Sequence, residues 1–229
     1  MTETNDVKEM VEGLKLNMEQ SKDVKELIIN IDKVLGSDLR KILVGTQSVV
    51  YGGMIRDCVS GDKINDIDVV VPEKYRDLFD SSMKSLEYKG EENSTNETMI
   101  WKKEGCLDVE AYCVEHDPDE LQITPVSAPD FNVNTLAYDC ASGKIIAWNL
   151  SCGYNEEQKQ IEKIMESIKK KIAVIDELEL KMFEKRDEAY KKDREIFAFV
   201  VEKPEIREFP PQNRIDKIKK RGYTIVKPC

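Results

Sequence analysis

A single histidine, six cysteines with no C-x-x-C pair, and no apolar run near the length of a bilayer define this chain first by what it lacks. Without paired thiols neither a zinc knuckle nor a disulfide framework is expected, so Cys58, Cys106, Cys113, Cys140, Cys152 and Cys229 read as core filler or surface thiols. Cys113 and His116 form an isolated C-x-x-H, two ligands short of a tetrahedral zinc site. The opening MTETNDVKEM lacks the basic start and apolar core of a secretory signal. A cytoplasmic, reducing location without membrane partners is therefore expected. Glycine and proline are scarce, 11 and 8 among 229 residues, while 40% of residues are hydrophobic, which describes a helix-rich chain with a real core.

Positive charge is the other shortage. Against 45 Asp plus Glu stand 35 Lys plus Arg, a net −10 that excludes a general polyanion binder. The imbalance is local: residues 1 to 155 hold 16 basic and 29 acidic side chains, whereas 214 to 229 hold six basic and one acidic. Such a division separates a catalytic or metal-binding body from an arm that meets an anionic partner.

Three stretches organise the chain. From Asp6 to Leu35 apolar residues recur every three or four positions, an N-terminal helical segment (1–40) closed by Gly36. Residues 41–153 read as a head: a short strand at 48–51, Gly52-Gly53, a helix stopped near Gly61, the strand Asp66–Val71 ending at Pro72, and a helix over 73–86. A polar loop KGEENSTNE and two hairpins, TMIWKK with CLDVEAYCV and VNTLAYD with KIIAWNL, complete it. Residues 154–229 read as a helical extension. Tyr154 to Val201 holds neither Gly nor Pro, and Ile161, Met165, Ile168, Ile172, Ile175, Leu178 and Met182 mark one stripe of a long helix or helix pair. That stripe could carry a partner protein or a homodimer contact across 156–200. The chain ends in a short basic helix, a turn at Gly222 and an apolar tail.

The chemistry is concentrated in VVYGGMIRDCVSGDKINDIDVVV, residues 49–71. Two glycines between a strand and a helix start let backbone amides approach a polyphosphate, and Arg56, one turn in, can add a phosphate contact. Asp66 and Asp68 lie two apart on one strand, so their carboxylates share a face, as two hard divalent cations require. CLDVEAY offers a third carboxylate, Asp108 or Glu110, and alternation does not separate them.

GGMIRD followed by DID resembles the signature of the class II tRNA nucleotidyltransferase and bacterial poly(A) polymerase family, within the DNA polymerase beta-like nucleotidyltransferase superfamily. DFNVNTLAYD is similar to that family's R-R-D-F-T-I-N-A-L-A-Y-D element at Asp130, Phe131, Asn134, Leu136, Ala137, Tyr138 and Asp139. The resemblance covers about residues 48–150. It implies an α+β nucleotidyltransferase head with a mixed sheet flanked by helices and a helical C-terminal extension. It further implies a Mg²⁺-dependent enzyme in which Asp66, Asp68 and Asp108 are catalytic and bind two metal ions. Gly52, Gly53, Arg56, Asp57, Asp130 and Asn134 then bind a ribonucleoside triphosphate, ATP or CTP, and the acceptor hydroxyl belongs to an RNA 3′ end. Asp108 is preferred over Glu110 because DVEAYC loosely resembles the family's E-V-T-T-F-R. Two departures stand out: Ala128-Pro129 replaces a pair of arginines, and no clear E-D-x-x-R is present. Transfer to a protein or small molecule, and an inactive scaffold binding a partner through its helices, are the competing expectations.

Overall fold

The computed structural model describes residues 21–93, 98–114, 131–149, 153–155, 158–175 and 210–227. The chain opens with helix α1 (Lys22–Gly45), then β1 (Val49–Tyr51), α2 (Gly53–Ser60) and β2 (Asp66–Pro72). A 3₁₀ turn leads to α3 (Arg76–Ser85), followed by β3 (Lys89–Asn93), β4 (Thr98–Lys102) and β5 (Asp108–Val114). A second 3₁₀ turn (Asn132–Asn134) precedes β6 (Leu136–Asp139), β7 (Lys144–Asn149) and β8 (Gly153–Asn155). Helix α4 (Gln158–Lys169), β9 (Ile172–Val174), α5 (Gln212–Lys220) and β10 (Thr224–Val226) close it.

Strands β1 to β8 form one mixed sheet in the order β3-β4-β5-β2-β1-β6-β7-β8. Among the described residues its only parallel pair is β2 with β5, flanked by antiparallel pairs on both sides. Alternation along β2 gives the sheet two unlike faces. Ile67, Val69 and Val71 face the main core, where Leu27, Ile31, Leu35, Leu39 and Leu43 of α1, Met54 and Ile55 of α2, Phe79 and Met83 of α3 and Ile161 to Ile168 of α4 cover the sheet. Asp66, Asp68 and Val70 occupy the other face, where Val70 joins only a small cluster with Val49, Ala137 and Ile146. One face of the sheet is buried under helices and the other carries the acids.

Most expected elements appear, and four differ. Gly36 (φ 67°, ψ 170°) breaks α1 rather than closing it, and Leu39 and Leu43 carry the buried row onward to Gly45. Lys89–Asn93, expected as loop, pairs with β4 as a charged edge strand, and charge of this kind protects an edge from further pairing. Residues 133–135, read into the second hairpin, belong to a turn, and the strand begins at Leu136. The long stripe from Ile161 stops being helix at Lys169: Lys171 takes φ 56°, and β-branched Ile172 and Val174 pair in parallel with β10 from the far end of the chain. The expected helix over Asp6 to Met18, and Leu178, Met182, His116, Cys152 and Cys229, lie outside the described residues.

Trp101 on β4 and Phe79 on α3 meet edge to face at 6.2 Å, both fully buried, and the Trp101 indole N–H has no hydrogen-bond partner. Trp101→Ala is expected to cost about 3–5 kcal/mol in urea unfolding. Trp101→Phe is expected to cost under about 2 kcal/mol, because the smaller cavity is partly offset by removing an unpaired buried donor.

Candidate active site

The site begins at the turn between β1 and α2. Gly52 is the residue before α2 and has φ 73° and ψ −132°, a conformation L side chains rarely adopt. A Cβ there would lie 3.1 Å from Oδ2 of Asp68, so the glycine turn rests directly on the strand carboxylate. At Gly53 a Cβ would meet only Nη2 of Arg56, at 3.4 Å, an ordinary contact. The two glycines thus differ in kind: the first is required by backbone and by space, the second by neither.

Register places the acids. Asp66 pairs with Asp108 and Asp68 with Glu110 across the parallel β2–β5 ladder, while Tyr51 of β1 flanks Asp68 on the other side. All four carboxylates belong to the open face. Asp108 is exposed, whereas Glu110 is half-buried and accepts a 2.9 Å hydrogen bond from the Thr98 hydroxyl. Burial first, and then the charges of Asp66 and Glu110, push the Asp68 carboxyl up to about 7, against the pull of Lys217 and Arg214. The acid that faces Asp68 is therefore Glu110, with Asp108 one row away opposite Asp66.

Arg56 is brought to the turn from beneath. It is 3% exposed; its Nε donates to Asp57 Oδ1 (2.8 Å) and its Nη1 to Asn134 Oδ1 (2.7 Å). Nη2 lies 2.8 Å from the same Asp57 oxygen, an ion pair without hydrogen-bond geometry. Asp57, 2% exposed, is held on its second oxygen by Arg221 of the C-terminal segment. Arg221 is not among the residues the motifs point to. A signal for it in the sequence is the charge reversal after residue 214.

The second motif mostly builds the core. Phe131, Leu136, Ala137 and Tyr138 are buried, and the Tyr138 hydroxyl donates to Asp32 at 3.2 Å. Asp139 accepts from the amides of Ala141 and Ser142 and fixes the turn into β7. Asn134 reaches the site, through Arg56. Asp130 and Ala128-Pro129 lie outside the described residues.

The donors fit a hard cation. All are carboxylate oxygens, and Asp68 is held in a field of like charge that a divalent ion relieves. Among the described residues no group of three or more His, Cys, Asp or Glu converges to hold a metal ion. Magnesium needs none, since it is commonly held by one or two carboxylates with water and substrate phosphates completing the shell.

Gly52→Ala is expected to lower the Tm more than Gly61→Ala, which shares a positive φ of 71° but has open space around its Cβ. Strain alone costs about 1 kcal/mol, and the contact with Asp68 adds to it at Gly52. Asp68→Asn is expected to raise metal-free stability at pH 7.5 by roughly 1–3 kcal/mol. The sign follows from a folded-state pKa of about 7 above the ordinary 3.8, so ionising Asp68 costs stability as pH rises through that window. In thermal melts Mg²⁺ is expected to raise the Tm of the wild-type chain and not that of this variant.

Residues 48–162 match the family model described as the poly(A) polymerase head domain. Among solved structures, a CCA-adding enzyme in apo form superposes with TM-score 0.51 at 17% identity, covering 89% of this chain and 46% of the other. A CCA-adding enzyme in complex with ATP gives 0.48 at 19% identity, covering 90% of this chain and 46% of that one. The Thermotoga maritima CCA-adding enzyme complexed with tRNA gives 0.44 at 18% identity, covering 90% and 47%. The chain thus spans about half the length of these enzymes. No curated protein matches the sequence. No helix among the described residues is long and apolar enough to cross a membrane. On the match across half its length, and on a fold shared with nucleotidyltransferases, the chain belongs to the poly(A) polymerase head-domain family.

Proposed function

We propose that the chain is an RNA nucleotidyltransferase that moves a nucleoside monophosphate from ATP or CTP to the 3′ hydroxyl of an RNA. The observation that carries this reading is the seat of the Gly52 turn against the Asp68 carboxylate, with Glu110 opposite and Arg56 beneath. A polyphosphate at the start of α2 meets the first backbone amides of the helix, with the positive charge of the buried Arg56 guanidinium beneath them. Its α-phosphorus is then next to the carboxylate row. The acceptor oxygen bonds to that phosphorus, the bond to the β-phosphate oxygen breaks, pyrophosphate departs, and the hydroxyl proton leaves across the open face to solvent.

Asp66, Asp68 and a third acid would hold magnesium. Bound there, magnesium would acidify the attacking hydroxyl and offset charge on the departing pyrophosphate. For the third acid we favour Glu110 over Asp108, because Glu110 faces Asp68 in register and is oriented by Thr98. The reading also carries a cytoplasmic site of action, where NTP and RNA meet. An inactive scaffold is the competing reading, and Ala128-Pro129 in place of the family's arginines favours it.

Incubation with labelled ATP and CTP, Mg²⁺ and mixed RNAs is expected to label 3′ ends. Asp66→Ala and Glu110→Gln are each expected to reduce the rate by about a hundredfold or more, and Asp108→Asn by under about tenfold. Label that persists in Asp66→Ala would sink the mechanism, and the reverse order of the other two would give the role to Asp108. Calorimetry without Mg²⁺-dependent NTP binding would select the scaffold.

A further inference from the structure

The C-terminal segment is built into the head. Ile218 and Tyr223 are buried in the main core, β10 pairs with β9, and the Thr224 amide donates to the Lys171 carbonyl at 2.8 Å. Lys171 in turn pairs with Asp62 and lies 4.6 Å over the Tyr223 ring. Arg221 closes the contact by pairing with Asp57, in the first turns of α2. The register of α5 is therefore pinned at its C-terminal end.

From that anchor a stripe can be followed. Arg214 and Lys217, three apart, share one side of α5, and Arg221 follows four residues on, just past its C-terminal end. Lys217 lies about 6 Å and Arg214 about 10 Å along the axis from Arg221. Both are exposed, and both act electrostatically on Asp68, while Arg221 holds Asp57. Asp57 and Asp68 lie on either side of the Gly52 turn, so the cationic stripe approaches the place where a polyphosphate would meet the start of α2, above the buried Arg56.

We propose that Arg214 and Lys217 are binding residues for the polyphosphate of the incoming nucleotide, supplied by the C-terminal helix. Arg221 is a positioning residue that fixes their register and, through Asp57, the orientation of Arg56. The inference rests on the nucleotidyltransferase reading and goes beyond it by assigning residues far from the signature motifs. It also gives a physical place to the arginines that Ala128-Pro129 lacks: the cations reach the nucleotide from the other end of the chain.

The test uses the full chain, inorganic tripolyphosphate with Mg²⁺ as the probe, and isothermal calorimetry. Arg214→Ala with Lys217→Ala is expected to weaken tripolyphosphate binding by at least about tenfold. The Tm of this double variant should stay within about 3 °C of wild type, as both side chains are exposed. In the labelling assay the loss should fall on the KM for NTP more than on kcat. Arg221→Lys, which keeps the charge but not the bidentate fork, is expected to give a smaller loss in the same direction. Binding that is lost in Asp66→Ala but unchanged in the double variant overturns the inference alone. A loss confined to the affinity for a 3′-hydroxyl RNA oligonucleotide also overturns it, assigning the stripe to the acceptor backbone. A wild-type chain that binds no tripolyphosphate overturns the reading and the inference together.

Discussion

A carboxylate buried between two guanidinium groups organises this molecule. Asp57 is almost inaccessible, and a buried charge of that kind persists only when its lone pairs are met by charged donors. Arg56 meets one oxygen from the same helix and Arg221 meets the other from the opposite end of the chain. The pairing has consequences on both sides. Arg56, held by Asp57, turns Nη1 to Asn134 and so joins the glycine turn to the second motif. Arg221, held by the same acid, fixes the start of β10, which completes the two-stranded sheet with β9. Removing either arginine leaves Asp57 under-compensated in a dry position. The network thus couples phosphate-binding geometry to the docking of the tail.

The acids obey a different constraint. Strand β2 serves two faces at once: alternate residues fill the helix-covered core, and the others project Asp66 and Asp68 from the opposite face. Such a strand can be neither wholly apolar nor regularly amphipathic. Its second half is apolar because Val70 and Pro72 also find cover, Val70 in the cluster with Val49, Ala137 and Ile146. The carboxylates therefore occupy the first half, where the Gly52 turn comes within contact distance. Their mutual repulsion is a stability cost localised at the place where a divalent cation and a polyphosphate have the most to gain.

Legibility tracks the range of each interaction. The glycine turn, β2 and the two aspartates can be read from the sequence because turn chemistry and alternation act over a few residues. The resemblance to a nucleotidyltransferase head then supplies the fold, which the mixed sheet and the family match support. The break at Gly36 is ambiguous in sequence because a glycine marks a helix end and a helix kink alike. Strand β3 escapes notice because an edge strand needs no apolar pattern, only a partner. Strand β9 is hidden for a similar reason: Ile172 and Ile175 continue the helical spacing of α4, and only pairing with β10, about fifty residues later, selects strand. The choice between Asp108 and Glu110 needs register, which alternation does not contain. Asn134 stands out in the second motif as a nucleotide contact, and the structure gives it a partner in Arg56.

Net charge gains a different meaning from this geometry. A total of −10 argues against broad affinity for polyanions, yet a polyphosphate site depends on the few charges within a Debye length, not on the sum. Here Arg56 lies beneath the turn, and Arg214, Lys217 and Arg221 approach from α5 and the residue after it, while much of the acid lies on other surfaces. One cost of gathering cations beside carboxylates is that each sign screens the other when substrate is absent. The pull of Lys217 and Arg214 on Asp68 is that screening. It vanishes as a cost once phosphate takes up the cations and a metal ion takes up the acids. On the proposed reading an acidic chain can hold a strongly anionic substrate without becoming a general nucleic-acid binder, because the cations of one docked helix stand beside the site.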